Sequence, residues 1–177
     1  MRLAFKTAPQ DTNWDDMLEV WRAADDIELF ESGWLFDHFY PIFSDPTGPC
    51  LEGWVTLTAL AQATKRLRLG TLVTGIHYRH PAVLANMAAT LDIVSGGRLE
   101  IGIGAGWNEE ESGAYGISVG TPKERSDRFE EACEVIIGLL SDDTTSFRGD
   151  LLRADGCSMQ PQAGPAAASA NLHRRQR

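Results

Sequence analysis

The chain has 177 residues, of which 43% are hydrophobic and 23% are charged, as in ordinary globular proteins, so it is long enough for one sizeable core. Its formal net charge of −9 disfavours binding to the phosphate backbone of nucleic acids. No stretch approaches the roughly 18 apolar residues of a membrane span or the apolar core of a secretion signal, so we expect a cytoplasmic protein without a membrane partner.

Strands and helices are predicted to alternate along the first 150 residues. Strand candidates begin at Leu3, Gly33, Leu67 and Leu99, at spacings of 30, 34 and 32 residues, which is the length of a strand, a crossover helix and two loops. Each strand is followed by a helix candidate, and these cover residues 14–29, 54–64, 81–94 and 122–140. This alternation predicts a parallel sheet with right-handed crossovers.

Reactive side chains follow three of these strands. They are Asp37 and His38, then His77, Arg79 and His80, and then Trp107, Asn108 and Glu109. Pattern alone does not separate an open doubly wound sheet from part of a barrel, but barrel enzymes build their sites at the carboxyl ends of strands. The predicted fold class is therefore α/β, a partial (β/α)8 TIM barrel of about four strand–helix units followed by an irregular tail.

Four motifs carry a resemblance to a known family. They are "FDHFYP", "LVTGIHYRHP", "LDIVSGGRLEIGIGAGWNEEE" and "KERSDRFEEACEVI", in this order and spacing. The chain resembles the bacterial luciferase-like flavin or deazaflavin oxidoreductases, most closely the coenzyme F-420-dependent branch, from Met1 to about Asp150. The resemblance implies a (β/α)8 barrel that binds reduced F-420, or alternatively FMN, and acts on a small organic molecule by hydride transfer or oxygenation.

The resemblance also implies the catalytic candidates. Asp37 and His38 correspond to the family pair that lies beside the reactive ring, with the histidine as proton donor or acceptor. An imidazole can take either role near neutral pH. The alternative is that His38 is a partly buried histidine paired with Asp37 to hold the loop.

The cofactor-binding candidates follow strands three and four. Family members commonly carry a bulged non-proline cis peptide in strand three, against which the ring rests, and small residues after strand four let the ring approach the backbone. The pattern "GIGAGW" lacks the third glycine at the spacing that a dinucleotide-binding fingerprint requires, and no predicted helix opens directly after it. The candidates are Leu72, Val73, Thr74, Gly104, Ala105, Gly106 and Trp107.

Some F-420-dependent members carry a proton-donating glutamate where this chain has Trp107, so that role is unassigned, with Glu109 as a speculative substitute. His77 and Arg79 are candidates to meet the substrate or the cofactor tail, whereas His80 could cap the following helix. Residues 108–111 are expected to form a solvated loop. A metal site formed by Asp37, His38, His77 and His80 is disfavoured, because the histidines lack the spacing of a helical zinc motif and the resemblance is to a metal-free family.

The last 27 residues differ from everything before them. Residues 151–177 carry a net charge of +3 (four arginines and one aspartate), so residues 1–150 carry −12 (−9 minus 3). The run "PQAGPAAASANLHRRQR" has no apolar period. We therefore divide the chain into residues 1–150, the N-terminal half of a luciferase-like barrel, and residues 151–177, a disordered or out-of-frame tail.

We hypothesise that a one-base shift in the reading frame near Asp150 produced this tail. If the DNA from Leu151 is read one nucleotide later, permissible codons encode "YYELTDARCNPKPVQRPHPPICIGGN", which has the family's continuation, including a fifth strand. A full barrel needs about 250 residues, so the second half would be lost.

The leading functional prediction is a luciferase-like oxidoreductase, impaired by that loss. The alternatives are a non-catalytic half-barrel that self-associates as an interaction module and, with low weight, a metal-dependent hydrolase. In the first alternative the partner would be the chain itself or a second chain.

Overall fold

The computed structural model describes residues 3–160 as a parallel sheet with helices packed against it. Four strands lie in the order β1-β2-β3-β4. The elements are β1 (Leu3–Lys6), α1 (Trp14–Asp25), β2 (Phe30–Leu35), α2 (Gly53–Ala63), β3 (Arg68–Gly75), α3 (Pro81–Ser95), β4 (Leu99–Gly104), α4 (Glu109–Ala114), α5 (Pro122–Ser141), β5 (Thr145–Arg148) and β6 (Arg153–Cys157). None of the helices in this part of the chain is long and apolar enough to cross a bilayer.

Local sequence signals set the helix ends. Pro81 occupies the first turn of α3, where its missing N–H breaks no helical bond, and the His80 side chain accepts from the N–H of Ala82. Helix α3 ends at Gly96, whose φ of 72° is left-handed. The prediction that His80 caps this helix is therefore confirmed.

The core lies between the sheet and the helices. Leu35, Leu69 and Leu99 of the strands are fully buried, and they pack with helical side chains such as Trp21 and Leu57. On β1 the alternate residues Ala4 and Lys6 are exposed. Because side chains alternate along a strand, one face of the sheet is covered by helices and the other is open.

An antiparallel hairpin of β5 and β6 follows α5, and it is a departure from the expected irregular tail. Ala154 is buried in the core cluster, and Phe147 packs against that cluster. The pairing uses backbone groups, which any non-proline sequence supplies, so composition alone did not predict it. The rest of the predicted tail, residues 161–177, lies outside the described residues.

Candidate active site

Asp37, at the end of β2, is buried and forms a paired contact with Arg79. Arg79 donates from Nη1 to Oδ2 at 2.5 Å and from Nη2 to Oδ1 at 3.0 Å, and it lies 3.8 Å from Glu52. Burial raises the pKa of Asp37, although the hydrogen bonds from Arg79 act in the opposite direction. The pair ties the end of β2 to the segment before α3, and it neutralises the charge of Arg79 within the protein.

His38, the next residue, has one engaged ring nitrogen. Its Nδ1 lies 2.7 Å from Oε2 of Glu111, and its ring meets Trp107 edge-on at 5.7 Å between centroids. An ionised carboxylate only accepts hydrogen bonds, so Nδ1 carries the proton. Nε2 makes no hydrogen bond to residues 3–160 and is left as the atom that can accept or return a proton.

Glu111 is a residue that the sequence analysis missed. It is fully buried and also accepts from Phe39 N and from Tyr78 Oη, each at 2.6 Å. Burial would raise its pKa, but the hydrogen bonds from His38, Tyr78 and Phe39 outweigh burial and lower the pKa. Glu111 is therefore the ionised group that orients His38.

The expected solvated loop over residues 108–111 is wrong. Asn108 is the N-cap of α4, and its side chain accepts from Glu111 N at 3.2 Å. An asparagine followed three residues later by a glutamate is a helix-start signal, so the helix was detectable from sequence. The inward direction of the Glu111 side chain was not detectable from sequence. Glu109, in contrast, is exposed.

The end of β3 contains the bulge that the resemblance implies. The Leu72–Val73 peptide is cis, and pairing with β4 shifts register between Thr71 and Thr74. The side chains of Leu72 and Val73 are 47% and 41% exposed on the open face. Thr74 instead is buried and accepts from Trp54 Nε1 at 3.0 Å, so its side chain cannot meet a cofactor.

A pocket of about 250 Å³ lies at the carboxyl ends of these strands. Its walls include eight of the predicted residues, Asp37, His38, Leu72, Val73, His77, Gly104, Gly106 and Trp107. The sequence analysis missed other wall residues, among them Lys6, Phe36, Phe43 and Tyr78. Ala105 and Arg79 are not among the lining residues.

His77 lies beneath the glycine segment that follows β4. Its Nε2 is 3.0 Å from Ser112 Oγ, and its ring lies where a side chain on Gly106 would be, 2.4 Å from Nδ1 to a Cβ built there. Burial, followed by the charge of Arg128, lowers the pKa of His77 to about 4. His77 is thus neutral near pH 7 and supplies no positive charge for an anionic tail.

The candidate metal ligands do not assemble. His80 caps α3, and within residues 3–160 no three histidine, cysteine, aspartate or glutamate side chains are arranged to hold a metal ion. Within residues 3–160, Cys50, Cys133 and Cys157 form no disulfide bond.

A family model described as luciferase-like monooxygenase matches residues 3–172. An F420-dependent glucose-6-phosphate dehydrogenase of Amycolatopsis mediterranei is 31% identical over 152 residues, which are 85% of this chain and 45% of the relative. An F420-dependent hydroxymycolic acid dehydrogenase of Mycobacterium tuberculosis is 36% identical over 127 residues, 71% of this chain and 35% of that protein.

Among solved structures, an F420-dependent secondary alcohol dehydrogenase in complex with an F420–acetone adduct matches with a TM-score of 0.80 and 25% identity. The match covers 94% of this chain and 51% of that one. The chain therefore spans about half the length, or less, of the relatives that it matches. The likeness confirms the predicted partial barrel, because four strand–helix units superpose on half of a complete structure.

Proposed function

Because the chain belongs to the luciferase-like monooxygenase family, we propose that it carries the ring-binding half of an F-420-dependent oxidoreductase, with FMN as the alternative cofactor. The observation that supports this most is the placement of His38. His38 lines a pocket whose wall includes the exposed Leu72 and Val73, and its Nε2 makes no hydrogen bond to residues 3–160. One proton-transfer group beside an apolar wall is the arrangement that hydride chemistry on a small organic molecule needs.

The residues present fit a planar redox ring. The side chains of Leu72, Val73 and Trp107 offer apolar surface to a ring. Gly104 has no side chain, so a ring could approach the backbone there. A bound deazaflavin or flavin would accept the hydride when the substrate is oxidised and supply it when the substrate is reduced. The protein's own contribution is to orient the ring and to move a proton at His38.

His38 would act as a general base or acid through Nε2. When Nε2 accepts a proton from a substrate hydroxyl group, the imidazole becomes positively charged while Nδ1 still donates to Glu111. The buried carboxylate stabilises that charge, and Tyr78 and the Phe39 N–H hold the carboxylate in place. Returning the proton restores the neutral ring, so one residue serves oxidation and reduction alike.

We expect weak binding and low activity for the 177-residue chain. The pocket of about 250 Å³ lies below the roughly 300–1,000 Å³ that is usual for ligand sites. Arg79 is paired with Asp37, and His77 is neutral near pH 7. The cofactor ring would contact the protein on one side only, and the cofactor tail would have few cationic partners. We therefore expect neither tight binding nor the fixed approach of cofactor to substrate that hydride transfer requires.

Fluorescence titration with oxidised and reduced F-420 and with FMN tests this proposal. We expect dissociation constants weaker than micromolar for the chain, and a further weakening of about tenfold or more in Val73→Asp, because a carboxylate on the apolar wall would have to be desolvated. Val55→Asp is the matched control, since Val55 is 71% exposed on α2 and does not line the pocket.

Equal binding by Val73→Asp and the parent chain would contradict the placement of the ring. Micromolar or tighter binding by the parent chain would contradict the predicted impairment. The two results bear on different parts of the proposal and are read separately.

A further inference from the structure

Both outer edges of the parallel sheet are open in the part of the chain that the structure describes. The strand order is β1-β2-β3-β4, and no strand within residues 3–160 pairs with the far side of β1 or of β4. The helices follow the same order, since α1 packs on α2, α2 on α3 and α3 on α5. The sheet and the helix layer that covers it therefore both end at β1 on one side and at β4 on the other.

The open edges present unpaired backbone groups. Thr7 N donates to Trp34 O at 3.0 Å, so alternation along a parallel ladder turns the N–H and C=O groups of Ala4 and Lys6 outward. The carbonyls of Arg98 and Gly104, at the two ends of β4, accept hydrogen bonds from Leu69 N and Ile76 N on the β3 side. The backbone N–H and C=O groups of Leu99, Ile101 and Ile103 therefore turn outward. Exposed edges of this kind are templates for pairing with another strand.

We propose that two copies of this chain close into one eight-stranded barrel, with β4 of each copy paired to β1 of the other. A two-fold axis along the barrel axis leaves strand direction unchanged, so both new seams are parallel, like the three pairings within each chain. Four strands from each copy supply the eight of a closed barrel, and no edge remains.

The side chains at the two edges suit each other. Ala4 and Lys6 lie on the open face of β1, and on β4 the same face carries Glu100 and Gly102. Small residues allow two strands to approach, whereas Glu100 is already paired with Arg68 of its own chain at 2.6 Å. The exposed Leu72 and Val73 would gain cover from the partner's sheet. These features favour a second copy over an unrelated protein.

Closure would also alter the candidate site. Lys6 lies at the β1 edge and lines the pocket, so a strand added beside β1 builds a further wall there. Each dimer would contain two identical pockets at one end of the barrel. The proposal does not depend on which cofactor, if any, these pockets bind.

Sedimentation velocity over a range of concentrations, with light scattering on eluted fractions, tests the proposal on the 177-residue chain. We expect a species of twice the mass of one chain. Ala4→Pro removes an outward N–H from each seam and should weaken dimerisation by about tenfold or more. Ala4→Ser keeps both the N–H and a small side chain and serves as the matched control, which should dimerise like the parent chain.

Hydrogen exchange supplies a readout that does not depend on a variant. The amides of Ala4 and Lys6 and those of Leu99, Ile101 and Ile103 should be protected in concentrated samples and exchange faster on dilution. A chain that stays monomeric at all concentrations would overturn the proposal. So would a dimer in which these amides exchange freely, or one that Ala4→Pro leaves as tight as the parent.

Discussion

Three hydrogen-bond donors converge on the buried carboxylate of Glu111, and this convergence defines the chemistry of His38. Phe39 N and Tyr78 Oη reach it at 2.6 Å and His38 Nδ1 at 2.7 Å. Tyr78 is held protonated, since burial and the hydrogen bond to Glu111 raise its pKa well above the usual value. The His38 tautomer thus follows from a residue that need not touch substrate.

Glu111→Gln should destabilise the protein by about 2 kcal/mol, because an amide cannot accept from all three donors and its own NH2 group would meet a donor. Urea unfolding measures this loss. Nitrogen-15 NMR of His38 should show that the ring no longer keeps its proton on Nδ1 alone.

Glu110→Gln is the control, since Glu110 is exposed beside Glu111, and its effect should stay within about 0.5 kcal/mol. An unchanged His38 spectrum in Glu111→Gln would contradict the positioning role.

Gly106→Ala should destabilise the protein by about 2 kcal/mol or more. Its φ of 89° is unfavourable for alanine, and the added Cβ would lie 2.4 Å from His77 Nδ1. Gly116→Ala separates the two causes, because Gly116 has a φ of 70° but no atom within 4 Å of a built Cβ. That control should lose only about 1 kcal/mol in thermal or urea unfolding. Equal losses of unfolding free energy in Gly106→Ala and Gly116→Ala would mean that the His77 ring moves aside without cost.

At the scale of elements, the β5–β6 hairpin is anchored through its backbone. The Glu131 carboxylate of α5 accepts from the N–H groups of Asp150, Leu151 and Leu152, at 2.7 to 3.3 Å. None of these bonds depends on the side chains of the turn. A segment whose composition indicates disorder can therefore still begin as an ordered strand.

Glu131→Ala should loosen this turn, because three N–H groups lose their acceptor. We expect faster hydrogen exchange at Asp150, Leu151 and Leu152 and a loss of about 1 kcal/mol in unfolding free energy, since water replaces part of the interaction. Glu130→Ala, one residue earlier and exposed, should change neither quantity. Unchanged exchange in Glu131→Ala would show that strand pairing alone holds the turn.

At the scale of the whole molecule, the described residues form an open half of a barrel with its site at one end. The chain spans about half of the F420-dependent secondary alcohol dehydrogenase that it superposes on, with 51% of that chain covered. The residues proposed to contact the ring lie in this half, whereas closure of the sheet requires further strands. The proposed dimer would supply those strands.

The reading-frame hypothesis stays a prediction at this scale. Resequencing the gene should show that the frame one nucleotide later from Leu151 stays open and encodes the strand "PPICIGG". Stop codons or unrelated residues in that frame would contradict the hypothesis. A gene returned to that frame should yield a longer chain that binds F-420 more tightly than the 177-residue chain, in the same fluorescence titration.

The sequence by itself determined the four strand–helix units and the positions of the candidate site residues at strand ends. Alternating burial and helix caps such as Thr121 and Pro122 are local, so each can be recognised within a short window. The ends moved by a few residues, as for α1, which stops at Asp25 instead of residue 29. The cis peptide fell within the predicted range, Leu72 to Thr74, through the family resemblance.

Only the tertiary structure decided the partners of those residues. His38 and Glu111 are 73 positions apart, and Asp37 and Arg79 are 42 apart. Which carboxylate turns inward depends on how a loop and a short helix pack across the ends of three strands, and no local pattern encodes that geometry. The same reason explains why Thr74 is buried and why Arg79, a candidate for the cofactor tail, instead neutralises a buried carboxylate.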